Sequence, residues 1–176
     1  MALFDVEPLP GYDPEIGILL AGLQDSTREW REELGKPSAR AIVWQARPGG
    51  HSIGSVILHI IDVEAYWFET FAAGVRRDPA ELKLLLSKEV KQYGGKWPLP
   101  HEKTVAWYYD LHDRIRARAF GALKGIEPTK RLERRNYGVT LRWVVAHVLE
   151  HDAYHGGQAV LLHDLWKANH RAMTKR

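Results

Sequence analysis

The chain contains no cysteine among its 176 residues. This absence excludes a fold stabilised by disulfide bonds, a cysteine nucleophile, an iron–sulfur cluster and a zinc site built from thiolates. No apolar run approaches the ~20 residues that a membrane-spanning helix needs. The first residues, MALFDVEPLPGYDP, also lack the basic stretch and apolar core of a secretory signal. We therefore expect a cytoplasmic protein that does not enter a membrane.

The length and composition are typical of one globular domain. A chain of 176 residues can enclose a single core without disulfides. Its 45% hydrophobic and 27% charged residues differ from the composition of a disordered chain. We expect a single domain over residues 1–176, with residues 1–11 as an N-terminal extension and residues 170–176 as a C-terminal tail.

A net charge of +3 is modest for the whole chain, but the basic residues are concentrated in one segment. Residues 110–142 contain nine basic and four acidic side chains. Such a segment is either a nucleic-acid footprint or a solvated helix face followed by a basic loop. No recognised nucleic-acid-binding motif accompanies the charge, so we do not expect a nucleic acid to be the partner.

Hydrophobic periodicity predicts an all-α fold with four long helices. The first begins at Asp13-Pro14, an N-cap followed by proline, and stops at Gly35. The other three are predicted near residues 52–74, 102–123 and 140–169, with a short helix at 79–87 and an extended stretch at 41–46. Four such helices indicate a four-helix bundle, and the long connections favour crossovers or decorated loops.

Histidines are arranged regularly on the fourth helix. His147, His151 and His155 follow one another at intervals of four, so they lie on one helical face, to which Gln158 returns. Val144, Val148, Leu162 and Leu165 share this face, which predicts that the imidazoles point into the bundle. Two imidazoles at this spacing can bind one metal ion, or they can be ordinary hydrogen-bonded core residues.

A third metal ligand would have to come from another helix, and His59 on the second helix is the best candidate. Imidazole ligands with open positions suit Zn²⁺, Ni²⁺ or Fe²⁺ better than Ca²⁺ or Mg²⁺. Gly156-Gly157 interrupts the same helix, where each glycine costs about 1 kcal/mol relative to alanine. A closely packed neighbour, room for a ligand or a tolerated kink would each explain this pair.

Three segments of the sequence resemble the DinB-like superfamily, the DNA-damage-inducible or YfiT-like metal-binding four-helix bundles. They are PGGHSIG at residues 48–54, HIIDVEAYW at 59–67 and, most specifically, HVLEHDAYHGGQ at 147–158. The resemblance covers about residues 12–166. It implies that His59, His151 and His155 hold a divalent metal and that His147 is a neighbour rather than a principal ligand. Gly156 stands where such proteins commonly have a basic residue, so a substrate contact made by that residue is not expected here.

The resemblance implies a metal-dependent enzyme that acts on a small molecule. The expected reaction is a thiol-dependent S-transfer or a metal-assisted hydrolysis, with Zn or Ni as the metal, Fe or Mn as alternatives, and a low-molecular-weight thiol as cosubstrate. It also implies a homodimer. The alternatives are a non-catalytic stress-response protein whose helical bundle is stabilised by the metal and, less favoured, a nucleic-acid binder.

Several further side chains are candidates for the surroundings of this site. Gln158 and Asp62 could orient ligand imidazoles through their second ring nitrogen, or they could simply form hydrogen bonds in the core. Aromatic side chains could line a substrate pocket, with core packing as the alternative: Tyr66, Trp67, Trp107, Trp143 and Tyr154.

Overall fold

The computed structural model describes residues 5–91, 94–134 and 136–173. Over these residues the fold is mostly helical, as the periodicity predicts. The helices are α1 (Pro14–Leu34), α2 (Ala39–Val43), α3 (Ile53–Ala65), α4 (Pro79–Leu84), α5 (Val105–Ala122) and α6 (Leu141–Met173). A π-helical segment, Tyr66–Ala72, continues α3, and a hairpin of β1 (Arg131–Arg134) and β2 (Tyr137–Thr140) precedes α6. The strands are antiparallel, with Arg131 opposite Thr140.

Local capping explains where the helices begin and end. The Asp13 carboxylate accepts a hydrogen bond from the N–H of Glu15, and Pro14 occupies the first turn of α1. Gly35 ends α1 with a φ of 68°, a left-handed conformation that favours glycine. Ser52 and Ser55 cap the start of α3 reciprocally. The predicted start of the first helix and its stop at Gly35 are confirmed.

Helix α3 lies at the centre of the molecule. It is buried on nearly every side, from Ile53 to Ile61, and packs against both α5 and α6, while α1 also packs against α6. Because α3 is buried on nearly every side, it does not have the separate polar and apolar faces of a surface helix. Any polar residue of α3 therefore lies against a neighbouring helix. His59 therefore faces other helices rather than water. None of the helices in the described ranges has the length and apolar content needed to cross a bilayer.

The structure corrects four local predictions. Residues 41–46 were expected to be extended, but Ala39–Val43 form α2, because Ser38 caps the N–H of Ala41 and Ile42 is buried. The loop predicted before the fourth helix contains the β1–β2 hairpin. The second long helix becomes π-helical at Tyr66. Leu165 is 45% exposed rather than core-facing. Because a helix has 3.6 residues per turn, residues spaced by four or seven rotate gradually away from the face on which the series began.

Candidate metal centre

Three imidazoles meet where α3 crosses α6. His59 comes from α3, and His151 and His155 come from successive turns of α6; one ring nitrogen from each lies within 4.8 Å of the others. The Nε2 atoms of His59 and His151 are 3.2 Å apart. The ring centroids of His151 and His155 are separated by 4.2 Å. The helical spacing on α6 thus supplies two imidazoles, and the central position of α3 supplies the third.

Gln158 fixes the orientation of one of these rings. The Nδ1 of His155 lies 2.8 Å from Oε1 of Gln158, one turn further along α6. An amide oxygen can only accept, so Nδ1 carries the proton and Nε2 keeps its lone pair. This arrangement leaves Nε2 free to bind an electrophile or a metal ion. Of the two residues expected to orient imidazoles, Gln158 makes the contact.

Burial keeps the three imidazoles neutral. Removal from water, with a smaller contribution from the neighbouring histidines, lowers the pKa of His59 to about 4 and that of His151 to about 2. Burial also lowers the pKa of His155, against a smaller raising effect of the hydrogen bond to Gln158. Neutral imidazoles at physiological pH have available lone pairs, which is the state a transition metal requires.

Trp97 and His51 close one side of the site. The Trp97 indole is buried, meets the His59 ring edge-on at 5.2 Å and lies 4.3 Å from the His51 ring, measured between centroids. The backbone N–H of Trp97 donates to the carbonyl of Gly49, which ties this loop to the segment that precedes α3. The sequence did not predict either residue at the site, because it gave no position for the loop at 94–100 and no role for His51.

A cavity of about 390 Å³ opens over the α6 imidazoles. It is lined by His147, Glu150, His151, Tyr154 and His155. The His147 ring stacks on Trp143 at 4.9 Å and meets Trp67 edge-on. Tyr154 is 64% exposed at its rim. Glu150 was also missed, although its place three residues after His147 and four before Tyr154 could have predicted that it lies on the same face.

Other predicted site residues lie elsewhere. The Asp62 carboxylate accepts hydrogen bonds from Arg77 and Ser87, so its contacts are with these two residues and not with a candidate ligand. Tyr66 packs on Trp67 and Phe71. The Trp107 ring contacts His101 and Tyr108. Of the predicted surrounding residues, Gln158, His147 and Tyr154 contact a candidate ligand, and Trp67 and Trp143 contact His147.

The two glycines that follow His155 differ in their surroundings. A Cβ at position 156 would lie 2.4 Å from Cγ and Cδ1 of Trp30, whereas a Cβ at position 157 would meet nothing within 4 Å. Gly156 is therefore required by a closely packed neighbour, one of the explanations that the sequence left open. Gly157 has no such requirement.

Much of the basic segment is engaged in ion pairs. Arg116 is buried against Glu64, and Arg118 pairs with Glu69 and Glu81. Arg131 pairs with Glu133 in the hairpin, and Arg142 pairs with Glu15 of α1. Each of these guanidinium groups therefore has a carboxylate partner that offsets its positive charge.

Comparison with known families places this site in context. The sequence model of the mycothiol-S-transferase family matches residues 19–167, a segment that includes His59, His151 and His155. A search of curated proteins finds no match. The mycothiol-S-transferase family is DinB-like, which confirms the resemblance seen in the three sequence segments. The chain belongs to the mycothiol-S-transferase family.

Proposed function

We propose that this protein is a divalent-metal-dependent S-transferase that joins a low-molecular-weight thiol to a small electrophilic molecule. The observation that carries the proposal is the convergence of three neutral imidazoles, from His59, His151 and His155, the last two of which line a cavity. The family match adds mycothiol as the proposed thiol. Because the chain has no cysteine, the reacting sulfur comes from a small molecule.

The three imidazoles fit a transition metal. Two nitrogens that bind one ion at 2.0–2.1 Å lie about 3.0–3.4 Å apart, and 3.2 Å separates Nε2 of His59 from Nε2 of His151. The ligand set contains no carboxylate, which favours zinc, nickel or iron over calcium or magnesium. His155 is oriented for the same role by Gln158.

A bound divalent ion would supply Lewis acidity at this point and lower the pKa of a thiol or water molecule. The chain itself would position the reactants. The cavity of about 390 Å³ is large enough for part of a small molecule. The ring of His147, which is stacked on Trp143, offers an aromatic wall, and Tyr154 offers a hydroxyl at the rim. Among the lining residues, Glu150 has the carboxylate that would accept the proton released by the thiol.

The architecture and assembly expected from the resemblance extend this proposal. The packing of α1 against α6, of α6 against α3 and of α3 against α5 supports a four-helix bundle decorated by α2, α4 and the hairpin. A homodimer remains the proposed assembly. The ion pairs that basic residues of 110–142 make with carboxylates favour a small-molecule substrate over a nucleic acid.

The experiment is a conjugation assay that uses mycothiol and an aryl halide electrophile. The metal-free protein, the protein reloaded with zinc or nickel, and a reloaded His59→Ala variant are compared. The proposal predicts turnover with the reloaded wild type alone. Equal turnover by the metal-free protein would contradict metal dependence. Hydrolysis of an ester substrate without thiol consumption would indicate a metal-assisted hydrolase instead. A metal that raises the melting temperature while neither reaction occurs would indicate a structural role.

A further inference from the structure

A network of buried polar side chains lies behind the three imidazoles. It consists of Thr27, Trp30, Glu64, His112, Arg116 and Asp152, and we refer to it as the Arg116 network. Each of these residues is at most 7% exposed. They come from α1, α3, α5 and α6, so the network joins all four long helices.

Arg116 connects the two helices that carry the imidazoles. Its Nε and Nη2 atoms donate to the Glu64 carboxylate of α3, with the shorter contact at 2.6 Å. Its Nη2 also donates to Oδ1 of Asp152 on α6, at 3.4 Å. A guanidinium has its donors in a rigid planar fork, so it fixes the relative placement of two carboxylates in a way that a lysine does not.

Asp152 is held from the opposite side by α1. Its Oδ2 accepts a hydrogen bond from Nε1 of Trp30 at 3.0 Å, and Thr27 and Ser26 donate to the same carboxylate. The Trp30 ring also fills the space over Gly156. These contacts fix both the rotation and the axial position of α6 at the turn between His151 and His155.

The network is adjacent in sequence to the imidazoles on both helices. Asp152 directly follows His151, and Glu64 lies five residues after His59. A buried ion network often stabilises a protein no more than apolar residues of the same volume do. It can, however, restrict the helices to a single arrangement. Here that arrangement brings the Nε2 atoms of His59 and His151 to 3.2 Å.

We propose that Arg116 and Asp152 are positioning residues: through Glu64 and Trp30 they hold α3 and α6 so that the imidazoles are assembled before any metal arrives. The relevance of this assembly to metal binding rests on the proposed function. The assembly itself is a property of the metal-free protein, and it can be measured there.

The test is a set of ¹⁵N imidazole spectra of the metal-free protein. The variants are Asp152→Asn, Arg116→Met and Trp30→Phe, the last of which removes the indole N–H but keeps a ring over Gly156. Tyr108→Phe is the matched control, because it removes a buried hydrogen bond of α5 to the His101 carbonyl, outside the network. His170 provides an internal reference, since its hydrogen bond with the Trp166 carbonyl lies within α6 and well beyond the network.

We expect the ring nitrogen resonances of His59 and His151 to shift and broaden in the three network variants. The resonances of His170, and those of all three imidazoles in Tyr108→Phe, should stay near their wild-type positions. Wild-type positions for His59 and His151 in every network variant would overturn the proposal. If Arg116→Met gives no dispersed spectrum, the result rests on Asp152→Asn and Trp30→Phe.

Zinc titration of the same proteins separates this proposal from the proposed function. We expect zinc to bind to Asp152→Asn at least about tenfold more weakly than to the wild type, as is found for residues that orient ligands. If the wild type binds no zinc while the His59 and His151 resonances shift as expected, the proposed function fails and the positioning role stands. If the wild type binds zinc and the network variants match it in both spectra and affinity, the positioning role fails alone.

Discussion

The indole of Trp30 lies directly against the Cα of Gly156, in the space where any other residue would place its Cβ. The same indole donates its N–H to Asp152, one turn earlier on α6. Trp30 is only 4% exposed and has little room to withdraw. The glycine thus allows α1 and α6 to approach closely at the turn that carries His151 and His155.

This contact predicts that Gly156→Ala destabilises the protein. A Cβ 2.4 Å from Cγ of Trp30 must displace the ring, and overpacking of this kind costs about 1–3 kcal/mol. Gly157→Ala is the matched control, because its Cβ would meet nothing within 4 Å and alanine favours a helix by about 1 kcal/mol. Thermal unfolding should place Gly156→Ala below the wild type and Gly157→Ala at or above it. The opposite order would contradict the packing described.

Loss of the Gln158 amide should weaken metal binding without unfolding the protein. Gln158→Ala removes the acceptor that holds the proton on Nδ1 of His155, and the loss of such a partner reduces metal affinity about 10–100-fold. Gln24→Ala, on the exposed face of α1, serves as the control. Isothermal titration with zinc measures both. Equal affinities for the two variants would show that the hydrogen bond does not orient the ligand.

The stability of the metal-free protein should decrease in mildly acidic solution. Burial holds the pKa of His59 at about 4 and that of His151 at about 2, whereas unfolded histidines titrate near pH 6.5. Between these values the unfolded state binds protons that the folded state does not, so the free energy of unfolding falls as the pH falls. Each such histidine contributes a slope of about 1.4 kcal/mol per pH unit.

Urea unfolding of the metal-free wild type and of His151→Gln at pH 7, 6 and 5 checks this slope. The variant should lose less stability per pH unit below pH 6, since one histidine no longer titrates. The buried His112 is present in both proteins, so its contribution cancels. Parallel pH profiles would mean that His151 is accessible to protons in the folded state.

Glu150 should affect turnover but not metal content. Glu150→Gln preserves the shape of the side chain in the cavity and removes its ability to accept a proton. We expect a lower kcat with unchanged zinc stoichiometry, and a decrease of about 10²–10⁴-fold if proton transfer limits the rate. Glu29→Gln, on an exposed part of α1, is the control for a change of charge. An unchanged kcat would remove Glu150 from the proposed mechanism.

The shared face of the α6 histidines could be predicted, because it depends only on their spacing within a single helix. Residues four apart on α6 must share a face, and the apolar residues on that face indicated burial. The place of Asp62 could not be predicted, because its partners Arg77 and Ser87 come from distant, irregular parts of the chain. The role of Trp97 depends likewise on a loop whose path is set by tertiary contacts.

Local propensity misled the prediction where packing decided the structure. Residues 41–46 include Ile42 and Val43, which favour strands, yet the Ser38 cap and the burial of Ile42 select a short helix. The β1–β2 hairpin has mostly charged or exposed residues, so it lacks the apolar alternation by which strands are recognised. Gly156 was identified as unusual from the sequence, but only the structure shows its contact with Trp30.

The most direct test of the account is the metal content of purified protein after dialysis against zinc. We expect about one ion per chain in the wild type and none in His151→Ala. His163→Ala is the control, because His163 lies on the same helix and bonds to the Leu34 carbonyl instead; it should retain the ion. A wild-type stoichiometry in His151→Ala would contradict the three-histidine site, and with it the proposed function.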